Sequence, residues 1–285
     1  MNTLVSICIP TYNGEEFIAE AMASAINQTY RPLEIIVSDD NSQDKTIEII
    51  ESFKNKTDIE ISIYKHVPLG IGANWNNCVK QAKGEFIKFL FQDDLLAPTC
   101  IEEMLQPFFK YKNMGLSFCR RNIIYDKNNI KHQKWVSNYG NLHKYWNNLQ
   151  SFQRGKTLLH DPGLLNFSQN KVGEPVAVLL RKKVFRKVGY FNLSLKQALD
   201  CEYWYRVFTK FNVAFINKEL VSFRLHPKQA TAVNAKTKTM DYAIYPRSIY
   251  SNCFWHLNPS VRYKLFMKYS LIGRTLNKIR AIIKK

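Results

Sequence analysis

The chain has 285 residues, of which 46% are hydrophobic and 22% are charged, which is the composition of a globular protein. No apolar run reaches the length of a transmembrane helix, and the length suits one large domain or one domain with an elaborated second half. Lys and Arg number 41 against 23 Asp and Glu, and the resulting net charge of +18 predicts an anionic partner: nucleotide phosphates, acidic lipid headgroups or nucleic acid.

The six cysteines form no CxxC pair and several lie in apolar patterns, which favours buried free thiols in a reducing compartment. The amino terminus leads directly into a strand pattern, without a basic segment and cleavage site typical of a signal peptide. We therefore expect a cytoplasmic protein.

The amino-terminal part alternates between strand and helix patterns. Short apolar runs predict strands at residues 4–9, 33–37, 59–64 and 86–91. Apolar residues at helical spacing between the runs predict the intervening helices, which indicates an α/β fold with a mostly parallel sheet and helices on both faces. The polar clusters 11–13, 39–41 and 92–94 each follow a strand, so we expect them to meet along one sheet edge.

Two adjacent carboxylates, Asp93 and Asp94, stand at the carboxyl end of the fourth run. Such a pair is costly unless positive charge meets it. Ligands of open α/β sheets bind beyond the carboxyl ends of the strands. The pair therefore predicts a divalent cation, which prefers oxygen ligands and often accompanies a phosphate-bearing substrate.

The second half is less regular. A helix is predicted from Pro98 to about Lys110 and a strand at 116–124. Residues 125–171, rich in Asn, Lys, His, Tyr and Trp, predict loops and short helices; they suit a substrate-facing insertion or a surface excursion without a role. A strand at 175–180, a helix at 200–211 and two last strands at 213–216 and 221–225 follow.

From Tyr242 onward the sequence contains no Asp or Glu but nine Lys and Arg residues, interleaved with apolar ones. This pattern is typical of a basic amphipathic helix on an anionic membrane face, or of a helix that packs on the domain with solvated lysines. We favour peripheral association with the inner face of the cytoplasmic membrane.

Six motifs in order resemble glycosyltransferase family 2, the nucleotide-sugar-dependent transferases of GT-A fold. The resemblance covers roughly residues 5–232. The motifs are residues 6–13 (SICIPTYN), 34–46 (EIIVSDDNSQDKT), 70–76 (GIGANWN), 92–94 (QDD), 199–206 (LDCEYWYR) and 224–227 (RLHP). The resemblance implies a GT-A catalytic domain at 1–235, with a nucleotide-sugar half at 1–115 and an acceptor half at 116–235, followed by a basic helical region at 236–285.

The resemblance also implies roles for individual residues. Asp94 and His226 would bind Mg²⁺ or Mn²⁺, while Gln92 departs from the commoner acidic residue of the family. Asp200 would be the general base that takes the acceptor hydroxyl's proton, with Glu202 as a rival two residues on. The donor nucleotide would contact Pro10, Thr11, Tyr12, Asn13, Asp39, Asn76 and Asp93.

The function implied is a metal-dependent, inverting transfer from a nucleotide-diphosphate sugar, UDP- or dTDP-linked, to a glycan or lipid-linked glycan in bacterial surface-glycan synthesis. Two other classes were weighed. A sugar nucleotidyltransferase needs a Gly-rich basic phosphate loop after the first strand, which residues 10–14 are not. A nucleic-acid-binding protein needs basic and aromatic residues across one face, and the acidic strand-end clusters argue against it.

Overall fold

The computed structural model describes residues 3–165, 170–229 and 241–283. The strands are β1 Val5–Thr11, β2 Leu33–Asp39, β3 Glu60–Lys65, β4 Phe86–Phe89, β5 Leu95–Leu96, β6 Met114–Ile124, β7 Phe152–Arg154, β8 Val178–Arg181 and β9 Asn212–Arg224. The α-helices are α1 Ile18–Ile26, α2 Thr46–Glu51, α3 Ile71–Gln81, α4 Cys100–Lys110, α5 Ile130–Tyr139, α6 Gly155–Leu159, α7 Lys183–Val188, α8 Leu199–Phe208, α9 Asp241–Cys253, α10 Pro259–Tyr269 and α11 Leu271–Ile283.

In the described part of the chain the nine strands form one sheet, ordered β3-β2-β1-β4-β8-β6-β9-β5, with β7 paired to β9. Strands β1 to β4 are parallel to one another, β8 is antiparallel to both β4 and β6, and β6 and β9 are parallel. The predicted α/β fold with a mostly parallel sheet is confirmed. The carboxyl ends of β1, β2, β4, β6 and β9, and the amino end of β8, consequently lie at one edge.

Each face of the sheet buries its own hydrophobic cluster, because successive side chains of a strand point to opposite faces. In β1, Cys8 packs into the cluster that contains Trp75 and Trp204, whereas Ile7 and Ile9 pack into the other cluster. All six cysteines lie in the described residues, where they are buried and form no disulfide.

The prediction of two separate last strands is wrong. Residues 212–224 form the single strand β9, which pairs with β6 through register shifts near Arg120. The polar stretch 217–219, which resembles a turn in sequence, is an exposed irregularity where Glu219 pairs with Arg120 at 2.7 Å. A bulge accommodates extra residues without ending the strand.

The region 125–171 is more than a surface excursion. Besides α5, β7 and α6, it supplies Leu142, Trp146, Leu158 and Leu159 to the core, each at most 6% exposed. Residues 166–169 of this region lie outside the described residues.

The carboxyl-terminal helices differ in how they pack. From α9, α10 and the turn between them, Ile249, Cys253, Leu257, Val261 and Leu265 are buried in the cluster of Trp204. Helix α11 instead exposes most of its large apolar side chains. The domain boundary proposed at 235/236 falls outside the described residues. Among the helices that the structure describes, none is both long and apolar enough to cross a bilayer.

Candidate active site

A cleft of about 690 Å³ opens at the sheet edge where the carboxyl ends of β1, β2 and β4 meet. The predicted nucleotide loop, Pro10, Thr11, Tyr12 and Asn13, lines one side of it. The other side comes from the segments 174–175, 193–200 and 223–229. The cleft therefore joins the strand ends of the first half to three segments of the second half.

The cleft is acidic although the chain is strongly basic. Its lining includes the carboxylates of Glu16, Asp40, Asp93, Glu174 and Asp200, against the lysines Lys196 and Lys228. Two of these carboxylates are paired, because Glu16 Oε2 lies 2.8 Å from Lys228 Nζ and Glu174 forms an ion pair with Arg121. Positive charge beside an anionic ligand would offset repulsion by the remaining carboxylates.

Asp39 locks the first two loops together behind the cleft. Its Oδ2 accepts hydrogen bonds from Thr11 Oγ1 at 2.8 Å and Ser42 Oγ at 2.6 Å, and its Oδ1 accepts one from Ser42 N at 2.9 Å. Asp39 is fully buried and does not line the cleft. Its carboxylate is thus occupied by the protein, contrary to the expected nucleotide contact.

The neighbouring Asp40 lines the cleft instead. Its buried Oδ1 has no hydrogen-bond partner among the described residues and lies 3.6 Å from His66 Nδ1. Burial raises the pKa of Asp40, a trend that nearby His66 opposes. A backbone hydrogen bond from Leu69 also stabilises the charged form of the Asp40 carboxylate.

Two hydrogen bonds account for a glutamine, rather than an acidic residue, at position 92, and together they form a clamp. Gln92 Oε1 accepts from Tyr12 N at 2.9 Å and its Nε2 donates to Tyr12 O at 3.1 Å. A carboxylate has no donor for the second bond. The clamp needs Gly14 beside it, because a Cβ there would lie 2.4 Å from Gln92 Oε1. Gln92 therefore holds the first loop against the third.

The acidic pair is divided by the structure. Asp93 lines the cleft, and its Oδ2 lies 2.8 Å from Nε2 of His226, which also lines the cleft. Asp94 lies beneath them at 1% exposure, with Oδ1 accepting from Arg224 N at 3.0 Å and Oδ2 without a partner among the described residues. Burial, and then the Asp93 charge, raise the pKa of Asp94 well above its usual range. Of the pair, Asp93 is thus the carboxylate that lines the cleft.

The pair of Asp93 and His226 suits a Mg²⁺ or Mn²⁺ ion. Such ions are bound by one or two protein ligands together with substrate phosphates. No group of three or more metal-binding side chains occurs in the described ranges, so donor phosphates would have to complete the coordination.

Asp200 also lines the cleft, in the first turn of α8, at 8% exposure. Its Oδ2 accepts from Asn170 Nδ2 at 2.7 Å and its Oδ1 accepts from Cys201 N at 2.6 Å. Burial raises the pKa of Asp200 to about 7, an effect to which the nearby Glu174 charge adds. A fixed carboxylate whose pKa lies near neutrality is suited to general-base chemistry.

Glu202 does not line the cleft. Its carboxylate accepts from Arg206 at 2.8 Å and 2.9 Å and from Ser248 Oγ at 2.5 Å. Arg206 and Ser248 therefore hold the Glu202 carboxylate away from the cleft, whereas Asp200 lines the cleft.

Asn76, expected at the donor, also lies outside the cleft. It exchanges two hydrogen bonds of 3.0 Å with the backbone of Phe191, which ties α3 to the segment before α8. Asn74, two residues earlier, lines the cleft, donates to Thr11 O at 3.1 Å and lies 3.2 Å from His66 Nε2. Asn74 and Asn76 lie on different sides of α3, because residues two apart on a helix do not share a face.

The residues that the sequence analysis missed fall into two groups. Asp40 and Asn74 belong to motifs given above, but the sequence analysis assigned the donor contact to Asp39 and Asn76 instead. Asn170, Glu174 and the buried Arg121, which pairs with Glu174, lie outside the quoted motifs, and no sequence signal connects them to the cleft.

The family profile of "Glycosyl transferase family 2" matches residues 6–188 of the chain. The chain belongs to glycosyltransferase family 2. This glycosyltransferase is 30% identical over 238 residues to an uncharacterised protein of Mycobacterium tuberculosis. The aligned residues cover 83% of this chain and 70% of the relative. It is 31% identical over 229 residues to an uncharacterised glycosyltransferase of Rickettsia typhi, covering 80% and 66% respectively. The chain thus spans roughly two thirds of these relatives.

A relative with a more specific name is the GalNAc(5)-diNAcBac-PP-undecaprenol beta-1,3-glucosyltransferase of Campylobacter jejuni. It is 36% identical over 103 residues, which cover 36% of this chain and 33% of the relative.

Solved structures of glycosyltransferases share the fold of this family 2 enzyme. Residues 1–349 of S. aureus TarS, in complex with UDP-GlcNAc, align with a TM-score of 0.67 at 19% identity, covering 94% of this chain and 71% of that chain. The mannosyltransferase PcManGT from Pyrobaculum calidifontis, in complex with GDP-Man and Mn²⁺, aligns with a TM-score of 0.59 at 14% identity, covering 99% and 81%. The GT-A fold expected from the motifs is confirmed, and the two alternative protein classes are set aside.

Proposed function

We propose that this glycosyltransferase is a metal-dependent, inverting enzyme that transfers a sugar from a nucleotide-diphosphate donor to an acceptor hydroxyl. The observation that carries the proposal is the placement of Asp200 in the same cleft as the donor loops and the Asp93–His226 pair. A base and a leaving-group site in one cleft are what a single displacement at a sugar carbon requires.

In the proposed reaction the acceptor hydroxyl lies against Asp200. The carboxylate takes the hydroxyl proton as the acceptor oxygen forms its bond to the anomeric carbon. The bond between that carbon and the diphosphate oxygen breaks, and its electron pair leaves with the nucleotide diphosphate. Because one displacement occurs from the face opposite the leaving group, the anomeric configuration inverts.

The chain's own contacts prepare Asp200 for this step. Asn170 fixes one carboxylate oxygen and the Cys201 amide fixes the other, so the side chain has one orientation. Burial raises the pKa of Asp200 to about 7, which makes its carboxylate a stronger proton acceptor than an exposed aspartate.

Asp93 and His226 would hold a Mg²⁺ or Mn²⁺ ion, which when bound stabilises the negative charge of the departing diphosphate. PcManGT, the structural neighbour described with GDP-Man and Mn²⁺, supports this assignment by likeness of fold. The acidic lining of the cleft supports it physically, since it would otherwise repel the donor.

The nucleotide base is assigned to the wall formed by Tyr12, Asp40 and Asn74. The carboxylate of Asp40, which lines the cleft, would accept from the ring N–H of a uracil or thymine, and a guanine also offers such donors. TarS in complex with UDP-GlcNAc supports a UDP-sugar, and we retain UDP- or dTDP-sugars as the expected donors.

The acceptor is assigned to a glycan or lipid-linked glycan of a bacterial surface polymer. The named relatives include the GalNAc(5)-diNAcBac-PP-undecaprenol beta-1,3-glucosyltransferase and a poly(ribitol-phosphate) beta-N-acetylglucosaminyltransferase. Such acceptors are found at a membrane. Helix α11 exposes Leu271, Ile272, Leu276, Ile279 and Ile282 next to three basic residues. We assign it to the anionic inner face of the cytoplasmic membrane, by apolar insertion and charge attraction.

A thermal-shift panel tests the donor and the metal together. UDP-, dTDP- and GDP-sugars are each added with and without Mn²⁺, because a bound ligand stabilises the fold by mass action. We expect a UDP- or dTDP-sugar to raise Tm selectively, and more so with Mn²⁺. Equal shifts for all three nucleotides would contradict the donor assignment. Tm shifts that are the same with and without Mn²⁺ would contradict the proposed metal dependence. The anomeric proton of the product, seen by NMR, decides between inversion and retention.

A further inference from the structure

Asp241, the first residue of α9, lies close to the candidate base although it is far from it in sequence. Its side chain is buried at 4% exposure. The carboxylate accepts from three consecutive amides of the segment before α8: from Lys196 N at 3.1 Å and 3.0 Å, from Gln197 N at 2.7 Å and from Ala198 N at 2.8 Å. A buried charge is stable only when hydrogen-bonded in this way, so the carboxylate and this backbone segment hold each other in place.

The three amides belong to a segment that forms the wall of the cleft. Lys196 and Gln197 line the cleft, and Ala198 is the N-cap residue of α8. Asp200 follows two residues later in the first turn of that helix. The path from the Asp241 carboxylate to the candidate base is therefore one hydrogen bond and two residues of backbone.

Helix α9 also contacts α8 beyond Asp200. Tyr245 Oη lies 3.4 Å from Cys201 Sγ, its ring lies beside that of Tyr205, and Ser248 Oγ donates to Glu202 Oε1 at 2.5 Å. These contacts dock the helix, but none of these side chains lines the cleft. Among these contacts, in the described part of the chain, only that of Asp241 reaches a segment that lines the cleft.

We propose that Asp241 is a positioning residue, which acts through the backbone of residues 196–198 to set the orientation of Asp200. The proposal rests on the proposed function, since it needs Asp200 to be the base. It also gives α9 a role in the active site, although this helix lies in the region that the sequence assigned to a basic tail.

The test compares Asp241→Asn with Ser248→Ala. The first keeps the size of the side chain but removes its charge and one acceptor oxygen, and the second removes a contact of the same two helices away from the cleft. Hydrogen exchange measured by mass spectrometry on the peptide 193–201 reports how strongly Asp241 protects these backbone amides. This measurement needs no nucleotide sugar. UDP affinity by calorimetry, Tm, and UDP release from the UDP-sugar selected by the thermal-shift panel complete the comparison.

Asp241→Asn should exchange faster in that peptide and lose about 10-fold or more in turnover, because small misplacements of a reacting group are costly. Its UDP affinity should stay within about twofold of wild type, since the donor loops do not contact Asp241. Ser248→Ala should keep wild-type exchange in the peptide and wild-type turnover. Unchanged exchange in Asp241→Asn would overturn the proposal, as would faster exchange with wild-type turnover. Equal losses in both variants would also overturn it, because they would indicate general loosening of α9.

Asp200→Asn, measured alongside, separates this inference from the function beneath it. Full turnover in Asp200→Asn would overturn the assigned base and its positioning together. An inactive Asp200→Asn beside a fully active Asp241→Asn would overturn the positioning role alone.

Discussion

One wall of the cleft consists of strand ends from the first third of the chain, whereas the opposite wall is assembled from segments far apart in sequence. The first, which we call the strand-end wall, contains residues 10–13, Asp40, Gln92 and Asp93. The second, the assembled wall, contains Glu174, residues 196–200 and His226. The strand-end wall carries most of the residues assigned to the donor and one of the two assigned metal ligands, Asp93. The assembled wall carries the other, His226, and the assigned base. Donor binding and the base are thus assigned to different parts of the fold.

Asp200→Asn should give the largest effect and should separate the two walls. Turnover should fall about 10³-fold because the general base is lost, while UDP affinity stays near wild type. In the wild type, burial raises the pKa of Asp200 to about 7, so turnover should rise with pH through about 7 as the carboxylate forms. Steady-state UDP release and calorimetry check both parts. A wild-type rate in Asp200→Asn would return the base role to another group.

The same substitution should stabilise the fold. The pKa of Asp200 is about 7 in the folded protein, against roughly 3.9 for an unfolded aspartate. As pH rises through the unfolded value, the unfolded state loses its proton first, so wild-type stability falls until the pH exceeds the folded value. Asp200→Asn lacks this loss. Its free energy of unfolding above pH 7 should exceed wild type by up to about 4 kcal/mol, and the gap should close near pH 4.

Urea unfolding at several pH values measures that gap. A gap that is constant with pH would show that the stability difference does not come from ionisation of Asp200.

Asp93→Asn and Asp94→Asn should sharpen the division of the acidic pair. Asp93→Asn should lower metal-dependent turnover about 10²-fold and remove the Mn²⁺-dependent part of the thermal shift, because it removes a cleft-facing ligand charge. Asp94→Asn should keep the Mn²⁺ dependence, since the Asn oxygen can still accept from Arg224 N. Loss of the Mn²⁺ dependence in Asp94→Asn but not in Asp93→Asn would restore the metal role expected from sequence.

Asp40→Asn and Asp39→Asn should differ within the strand-end wall. Asp40→Asn should weaken UDP binding about 10-fold, because a hydrogen bond to a charged acceptor is lost, with little change in Tm. Asp39→Asn should mainly lower Tm, since Asp39 Oδ2 accepts from both Thr11 and Ser42. Calorimetry with UDP and thermal unfolding decide between them. The reverse pattern would place the nucleotide contact at Asp39.

The smallest effect is expected outside both walls, on α11. Replacing the exposed Leu276 and Ile279 by Ser should reduce co-sedimentation with anionic vesicles several-fold. The reason is that each methylene group buried in the membrane contributes about 0.8 kcal/mol to binding. Turnover on a water-soluble acceptor should not change. Vesicles of neutral lipid serve as the control for charge. Equal binding of wild type and variant would remove the membrane assignment.

Much of the strand-end wall could be predicted from sequence. Apolar runs followed by polar clusters predicted the strands, and parallel strands bring their carboxyl ends to one edge. The convergence of the clusters at 11–13, 39–41 and 92–94 is visible in the contacts of Thr11 with Asp39 and of Tyr12 with Gln92. The motif 199–206 likewise located Asp200 without any knowledge of its surroundings.

The sequence by itself determined the family, the α/β fold and the short segments from which the cleft is built, because periodicity and motif order are local properties. The tertiary structure decided which member of each segment faces the cleft. At Asp39–Asp40, Asp93–Asp94 and Asn74–Asn76, one residue lines the cleft and its neighbour holds the scaffold, since nearby side chains on a strand end, turn or helix point in different directions. It also decided the contributions of Asn170, Glu174 and Asp241, whose contacts near the cleft exist only because the sheet and α9 bring distant parts of the chain together.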